Sequence, residues 1–383
     1  LAVAGVELTN GHLIYDDQQA GQRYELSGLQ VVTGNLLGSS LEDILIEGVF
    51  IDSTQADPVE FKVQGQGAID VNRYFLTMAD FDVNVVQGAV SADLVIGGLK
   101  FAQQTGQAEL TEVTAFVDVL PQSIEFRLAS ATLDLGAQVL EVPELAVIIG
   151  DTRFTASASG QKIIDAPVFS GNLNAASFNL QTLLSDLAVD YQTTDPEAMR
   201  AVALSADYQA TMDSVALTNL LVQLDQTKLE GSFSAENFAA PQLAFELDMN
   251  AINIDRYMSP AVEQEQEPAA LALVVPLAAL RGAHANGTFN ASSMTAGGMK
   301  VGDIDVDVET VGNTMIITYN AALYGGALRG EIQYLDHGAE AQMIVNQGVY
   351  DVDLGALLSD IEVTDRLSGS GTLDIDLTIT ETA

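Results

Sequence analysis

The chain has 383 residues, of which 53 are acidic and 14 basic, and its formal net charge is −39. A chain this acidic has no basic surface for binding phosphates, which excludes nucleic acid as a principal partner. Hydrophobic residues make up 48% of the sequence, which excludes global disorder, and the absence of cysteine excludes disulfides and thiolate metal sites.

Apolar and polar residues alternate along most of the chain, which is the period of a β-strand with one apolar face. Glycine, asparagine, aspartate and glutamine clusters separate the alternating runs, as turns require. In chain order, strands are predicted over residues 12–15, 24–33, 44–51, 59–64, 75–86, 90–96, 124–128, 132–135, 139–149 and 168–173.

The number of strands predicts more than a mainly β chain. Sheets beyond about ten strands must curl, split or flatten. We therefore expect a long, strongly twisted antiparallel sheet of many short strands, curled into an elongated apolar groove, with a few short helices. A two-sheet sandwich, in which each apolar face would cover another, is the alternative.

A unit of two or three strands followed by a short apolar stripe recurs, with copies ending at 178–184, 252–258 and 352–358. Within the stripe the apolar period changes to i, i+3, i+4, i+7. This period predicts that a strand runs into a short helix packed on the sheet. It is carried by Leu180, Leu183, Leu184 and Leu187, and again by Leu354, Leu357, Leu358 and Ile361.

Few other segments favour helix. Asp195-Pro196-Glu197 predicts a helix start, because it combines a capping side chain with proline at the first helical position. The polar stretch 259–268 predicts a linker, and 276–281 a helical turn, with strands resuming at Thr288. We expect a first β-groove region with internal repeats over 1–258, an acidic linker over 259–275 and a second β-groove region over 276–383.

No stretch approaches the ~20 apolar residues of a membrane helix, and no signal peptide is recognisable. The chain opens and stops in the middle of the alternation, at Leu1 and Ala383. We therefore expect it to be a piece of a longer protein.

Catalytic and metal-binding motifs fail on their spacing. The acids of Asp303–Glu309 resemble a calcium loop, but Val308 stands where that loop needs glycine. Their period of two instead places them on the solvated face of a strand. The histidines lie far apart, and Ser370 lacks the frame of a nucleophile elbow. We expect no enzymatic activity, no cofactor and no metal.

The positive signal is an apolar surface that is mostly aliphatic, since aromatics are 6% of the chain and tryptophan is absent. An aliphatic surface suits alkyl chains better than rings or bases. The residues expected to line the groove are Val83, Val85, Leu94, Ile96, Leu243, Phe245, Leu247, Met249, Ile304, Val306, Val308, Met315, Ile317, Tyr319, Leu373, Ile375 and Leu377.

Several segments, in this order along the chain, resemble the AsmA family of envelope proteins in Gram-negative bacteria. The resemblance covers most of the chain but not that family's N-terminal membrane helix or its C-terminal end. The segments that carry it are 5–11, 15–26, 276–281 with 286–288, 324–330 and 367–373.

The resemblance implies a periplasmic β-groove protein tethered to the inner membrane and similar to bridge-like lipid-transfer proteins. The implied ligand is a phospholipid or another acyl-chain lipid, carried between the inner and outer membranes during outer-membrane biogenesis. Membrane contact would come through segments outside this chain, with envelope proteins as possible partners. Two non-enzymatic alternatives stay open: an assembly factor for outer-membrane proteins, and a calcium-binding, adhesin-like β-repeat.

Overall fold

A computed structural model describes residues 5–17, 21–119, 122–260, 284–336, 340–363 and 368–382. Of these residues, strands account for 72% and helices for 5%, and they form an open, mixed sheet of 21 strands with two short α-helices. The predicted fold class, an open mainly β sheet with a few short helices, is confirmed. The strands are 9 to 14 residues long, and most are longer than the sequence predicts, whereas β9 matches its prediction over 139–149.

The strands are β1 (Val6–Asp17), β2 (Gln22–Thr33), β3 (Glu42–Asp52), β4 (Val59–Asp70), β5 (Phe75–Gln87), β6 (Val90–Ala102), β7 (Gln107–Val119), β8 (Gln122–Asp134), β9 (Val139–Ile149), β10 (Thr152–Gln161), β11 (Val168–Phe178), β12 (Val202–Ala210), β13 (Ser214–Leu224), β14 (Thr227–Glu236), β15 (Gln242–Asn253), β16 (His284–Ala296), β17 (Met299–Val311), β18 (Thr314–Leu323), β19 (Gly326–Asp336), β20 (Glu340–Asp353) and β21 (Ser370–Thr382). The helices are α1 (Leu180–Asp186) and α2 (Leu354–Asp360), with a 3₁₀-helix at Ile254–Arg256.

The chain divides into two compact units. Unit 1 comprises Leu1–Ala175 and Thr182–Val189, and unit 2 comprises Ala176–Gln181 and Asp190–Ala383. The predicted linker over 259–275 lies almost wholly outside the described residues, so the division predicted there stays a prediction.

Unit 1 is an antiparallel meander in which each strand from β1 to β11 pairs with the next along the chain. The register of β4 and β5 shifts at a β-bulge between Gln64 and Gln66, opposite Asp80, whose φ is positive. Glu112 on β7 also has a positive φ, but the register of β6 with β7 does not shift there. A bulge adds one residue and so reverses which side chains face each side. The apolar side chains of β5 are therefore Leu76 and Met78 before the bulge, but Phe81, Val83 and Val85 after it.

A change in the phase of the alternation explains one difference from the predicted strands. Residues 124–128 and 132–135 read as two strands, whereas 124–128 and 132–134 belong to the single strand β8. The alternation changes phase between Leu128 and Ala131, while the pairing of β8 with β7 keeps its register. Such a change of phase looks, in sequence, like a turn.

Unit 2 is a meander from β12 to β21 with one exception to antiparallel pairing. Strands β15 and β16 are parallel, with Leu243 opposite Ala285 and Met249 opposite Ala291. The predicted all-antiparallel sheet is wrong at this pair. Parallel neighbours require a long crossover connection, and here it runs from residue 254 to 283. The predicted helical turn over 276–281 lies outside the described residues.

Short helices occur at all three predicted repeat endings. Helix α1 follows β11, the 3₁₀-helix follows β15 and α2 follows β20. Leu183 of α1 is buried, as the apolar stripe predicts. In unit 2, the Asp255 carboxylate accepts hydrogen bonds from the backbone N–H groups of Gly297 and Gly298, at 2.6 and 2.9 Å. Among the described residues, no helix is both long and apolar enough to cross a membrane.

The helix predicted to start at Asp195 is wrong. Asp195 does cap a turn, since its carboxylate accepts from the Glu197 N–H at 2.9 Å, but no helix follows. Met199 has a positive φ, and the backbone then enters β12. The N–H groups of residues 199–201 instead bond to the buried carboxylate of Asp225, at 2.9 to 3.1 Å.

Helix α2 is held to unit 2 through Asp360. Its carboxylate accepts a hydrogen bond from the Tyr324 hydroxyl at 2.8 Å and pairs with the Lys300 ammonium at 3.0 Å. These two partners, Tyr324 first and Lys300 second, hold the pKa of Asp360 below its ordinary value of 3.8.

Acid should therefore release α2 at a defined pH. Because the pKa is lowered in the folded state, the stabilisation is present above pH 3.8 and is lost as the pH falls through the lower, folded value. We expect amide protection in α2 to stay constant from pH 7 to 5 and to fall below about 4, as measured by hydrogen exchange. Asp360→Asn should weaken protection at neutral pH and remove this acid step. An unchanged step in the variant would assign it to another group.

Candidate functional site: the apolar faces

One face of the unit 1 sheet is apolar across consecutive strands. Side chains directly opposite each other on paired strands point to the same side of a sheet, so the register defines this face. One row of this face runs from Ile46 on β3 through Val63 on β4 and Val83 on β5 to Leu94 on β6. The set from β4 to β9 includes Phe61, Val63, Phe81, Val83, Val85, Leu94, Ile96, Val113, Ala115, Val117, Ile124, Phe126, Leu128, Leu145, Val147 and Ile149.

This apolar face is incompletely covered. Among the described residues of unit 1, the apolar side chains larger than alanine that are buried are Phe81 and Leu183. Leu13 is 65% exposed and Phe126 36% exposed. A sandwich core of this size would bury most of its valines and leucines fully. Within neither unit, in the described ranges, do the strand pairings build a second sheet facing the first, so the sandwich alternative is wrong for each unit.

The opposite face of unit 1 is polar. Cross-strand pairs satisfy its side chains, such as Asn84 Nδ2 donating to Asp93 Oδ1 at 2.6 Å and Lys100 Nζ to Glu109 Oε2 at 3.1 Å. Exposed pairs of this kind stabilise little. Their contribution is solubility, because they place the charge of the chain on the side away from the apolar face.

In unit 2 the register brings together the residues that the sequence selects. Leu247 on β15 lies opposite Phe289 on β16, which lies opposite Val306 on β17, and Val306 lies opposite Tyr319 on β18. The residues of the predicted lining that share this face are Leu243, Phe245, Leu247, Met249, Ile304, Val306, Val308, Met315, Ile317, Tyr319, Leu373, Ile375 and Leu377. The remaining four, Val83, Val85, Leu94 and Ile96, share the apolar face of unit 1.

The unit 2 face is more closed at one end of its strands than elsewhere. There Met315 and Tyr334 form a buried cluster with Ala285 and Ala341, and Phe245 packs against it. On β21 the face opens again, since Leu373 is 56% exposed and Leu377 48% exposed. The apolar side chains of this face are therefore buried around the Met315 cluster and exposed on the outer strand β21.

Aromatic rings lie against glycines on the neighbouring strand at several places on these faces. A Cβ added to Gly65 would stand 2.7 Å from the Phe81 ring, and one added to Gly287 would stand 2.7 Å from the Phe245 ring. This pairing of a ring with a cross-strand glycine is a known way to cover an exposed glycine.

Acidic residues of the polar faces do not gather into a metal site. In the described ranges, no group of three or more histidine, aspartate or glutamate side chains has the arrangement to hold an ion. The acids of β17 alternate with the apolar residues, as predicted: Asp305 and Asp307 lie opposite Asn320 and Thr318. Asp305 belongs to a polar row that continues through Asn290 to Asp248. In this row, Asn290 Nδ2 donates to Asp248 Oδ1 at 3.0 Å.

Sequence reasoning misses much of the apolar faces. It omits β7 and β10 altogether, although Val113-Thr-Ala115-Phe-Val117 does alternate. The first three strands are predicted, but the predicted lining takes no residue from them, although Tyr15 stacks there on Tyr24 with ring centroids 6.3 Å apart. The period of β7 changes phase at Glu112, which has a positive φ, so the alternation is interrupted after only two repeats.

Comparison of the chain with known protein families, with characterised proteins and with solved structures found no significant match to any of them.

Proposed function

We propose that the chain binds the acyl chains of phospholipids along its apolar faces and serves lipid transfer between the inner and outer membranes of a bacterial envelope. The observation that carries the proposal is the apolar face of unit 1. It continues over consecutive strands, and its side chains are left half-exposed. Exposed apolar patches far larger than a few hundred Å² mark binding surfaces in soluble proteins.

The chemistry of the faces favours alkyl chains over other apolar partners. Each methylene removed from water contributes about 0.8 kcal/mol, and an aliphatic surface accepts methylenes without needing a specific geometry. With strands about 4.8 Å apart, the eleven strands of unit 1 span roughly 48 Å. One leaflet of a bilayer core is about 15 Å thick, which is about the length of one acyl chain, so the unit is wider than one acyl chain is long.

The proposed mechanism is passive. The lining repeats the same aliphatic side chains from strand to strand, so no position holds an acyl chain much more tightly than the next, and the chain slides. Headgroups stay in water, above the half-exposed face. Concentration differences or partner proteins supply direction. The periplasmic location and the tether to the inner membrane rest on the AsmA resemblance.

Native mass spectrometry with lipid extraction tests the proposal directly. The chain, purified from a Gram-negative host in a mild detergent, is expected to carry phospholipid at a reproducible ratio. Phosphatidylethanolamine is expected to be favoured over anionic phospholipids, because the protein carries a net charge of −39. Recovery of the chain free of lipid, and its failure to take up lipid from vesicles, would overturn the proposal.

A second candidate is an assembly factor for outer-membrane proteins, favoured by the outer strand β21. This strand is 13 residues long and pairs with β20 in the described part of the chain. A long unpaired strand edge can template the pairing of another strand. Binding of an unfolded outer-membrane polypeptide by lipid-free protein would favour this candidate.

A further inference from the structure

A polar pair interrupts the apolar face of unit 2. Tyr319 on β18 and Gln347 on β20 belong to one row of the face, because both lie opposite Gly330 of the intervening strand β19. The Tyr319 hydroxyl donates to Oε1 of Gln347 at 2.7 Å. We call these two side chains the Tyr319–Gln347 pair.

The glycine between them makes this contact possible. A Cβ on Gly330 would stand 2.3 Å from the Tyr319 hydroxyl oxygen and 2.5 Å from the ring carbon that bears it. The Tyr319 side chain thus crosses a whole strand to reach Gln347. A hydrogen bond that spans two strands through a glycine gap fixes both side chains in position on the face.

The surroundings of the pair are aliphatic. Val306 lies opposite Tyr319 on one side, and Ile375 lies opposite Gln347 on the other. The flanking positions of the same face are Ile317, Ile332, Leu328, Val345 and Val349. Burial raises the pKa of the Tyr319 phenol, as expected for a hydroxyl beside apolar neighbours.

The hydrogen bond leaves Gln347 with donors to spare. Its Oε1 accepts from Tyr319, and among the described residues no group accepts from its Nε2. A carboxamide nitrogen carries two N–H donors. Uncharged donors surrounded by aliphatic side chains match an uncharged acceptor that is attached to an alkyl chain. The carbonyl oxygen at the head of an acyl chain has that chemistry.

We propose that Gln347, held by Tyr319, hydrogen-bonds the acyl carbonyl oxygen of a lipid lying on the unit 2 face. The inference rests on the proposed lipid binding and adds a position at which the carbonyl end of the chain is recognised. Two sources supply this carbonyl: the ester of a phospholipid and the carboxyl group of a free fatty acid. The two adjacent rows, through Ile332 and Leu328, present aliphatic side chains, so this row sets where a bound lipid pauses.

The test compares lipids that differ in the carbonyl alone. Diacyl phosphatidylethanolamine and its dialkyl ether analogue, which lacks both carbonyls, are offered in equal amounts to the full chain, and bound lipid is quantified by native mass spectrometry. One net hydrogen bond predicts about a fivefold preference for the diacyl lipid. Myristic acid, offered separately, identifies a free fatty acid as the source.

Two variants and a matched control locate the preference. Gln347→Met should bind both phospholipids equally, since it keeps length and removes the donors. Tyr319→Phe should reduce the preference by releasing Gln347. The control is Gln342→Met, the same change on the polar side of the same strand, where Gln342 lies opposite Thr380, and it should keep the preference. Retention of myristic acid that depends on Gln347, without a diacyl preference, would support carbonyl recognition with a fatty acid as the source.

The outcomes distinguish a failure of carbonyl recognition by Gln347 from a failure of lipid binding itself. Equal binding of diacyl and dialkyl lipid by the unsubstituted chain, with no dependence of myristic acid binding on Gln347, would overturn carbonyl recognition and leave lipid binding standing. A chain that binds none of the three lipids would remove the proposed function, and this inference with it.

Discussion

Leu247→Asp is expected to reduce crosslinking of a photoactivatable phospholipid to unit 2 at least tenfold. Leu247 lies on the apolar face between Gly231 and Phe289, and its own strand places Phe245 and Met249 beside it on the same face. A carboxylate at this position removes aliphatic contact and must lose water when an acyl chain passes. Desolvation of a carboxylate costs several kcal/mol. This cost exceeds the binding free energy that the few methylenes in contact with one residue contribute.

The control adds the same charge on the other face. Asn320→Asp is nearly isosteric, and the residue is exposed on the polar side, where Arg329 Nε donates to Asn320 Oδ1 at 3.0 Å. It should leave crosslinking unchanged, and so should Asp305→Asn. Circular dichroism checks that each variant retains its strands. Equal loss in Leu247→Asp and Asn320→Asp would mean that overall charge, rather than the apolar face, governs binding.

Asp225→Ala is expected to destabilise unit 2 by about 3 to 5 kcal/mol. The side chain is 8% exposed and accepts from the backbone N–H groups of Met199, Arg200 and Ala201, and from the Tyr257 hydroxyl at 3.2 Å. Alanine leaves all of these donors without their acceptor. It must also adopt the positive φ of 53° at this turn, which aspartate and asparagine tolerate better.

Urea unfolding measures the change in the free energy of unfolding, and hydrogen exchange identifies the segment that loses protection. Amides of residues 199–201 should exchange faster in Asp225→Ala even where the global loss is small. Asp225→Asn should cost less, because it keeps one acceptor oxygen and tolerates the turn. Asp213→Ala, in the exposed turn before β13, should change stability by less than about 0.5 kcal/mol. Unchanged exchange at 199–201 would show that the carboxylate does not hold this segment.

Arg256 extends the same network. Its Nε donates to Asp195 at 2.7 Å, and its Nη1 donates to Gln226 at 2.8 Å. The hydrogen bond to Asp195 raises the pKa of Arg256, and the pKa of Asp195 is lowered by its bonds to the Glu197 N–H and to Arg256. The 3₁₀-helix that carries Arg256 is thus tied to the turn before β12. Asp195, which the sequence predicts as the cap of a helix, therefore takes part in loop contacts instead.

The acidic composition and the apolar faces fit together only once the register is known. In unit 2, the acids of β15 and β17 lie on one side, and Leu247 and Val306 on the other. The same charge spread over both faces would oppose any apolar ligand. Separation of the two chemistries is what permits a chain with a net charge of −39 to bind lipid in the way proposed.

The amino-acid sequence by itself determined that the chain is mainly β, that its strands are one-sided and that short helices follow three of them. These features depend on residues two to seven positions apart, which a reader of the sequence can count. Alternation predicted the apolar side of β15, β17 and β18 strand by strand, and it holds around Val306 because the register shift of β17 lies before Asp305. The register of these strands then placed Leu247, Val306 and Ile317 on a common face.

The tertiary structure alone decided the phase of each face, the parallel pair β15–β16 and, over the described ranges of each unit, the absence of a covering sheet. A bulge such as that at Asp80 shifts the period by one residue, and its position depends on hydrogen bonds to the neighbouring strands. The contact from Tyr319 to Gln347 depends on Gly330 lying between them, which only the register of three strands brings about. Strand pairing joins residues far apart in the chain, so local pattern defines each strand, whereas non-local hydrogen bonds decide what each face presents.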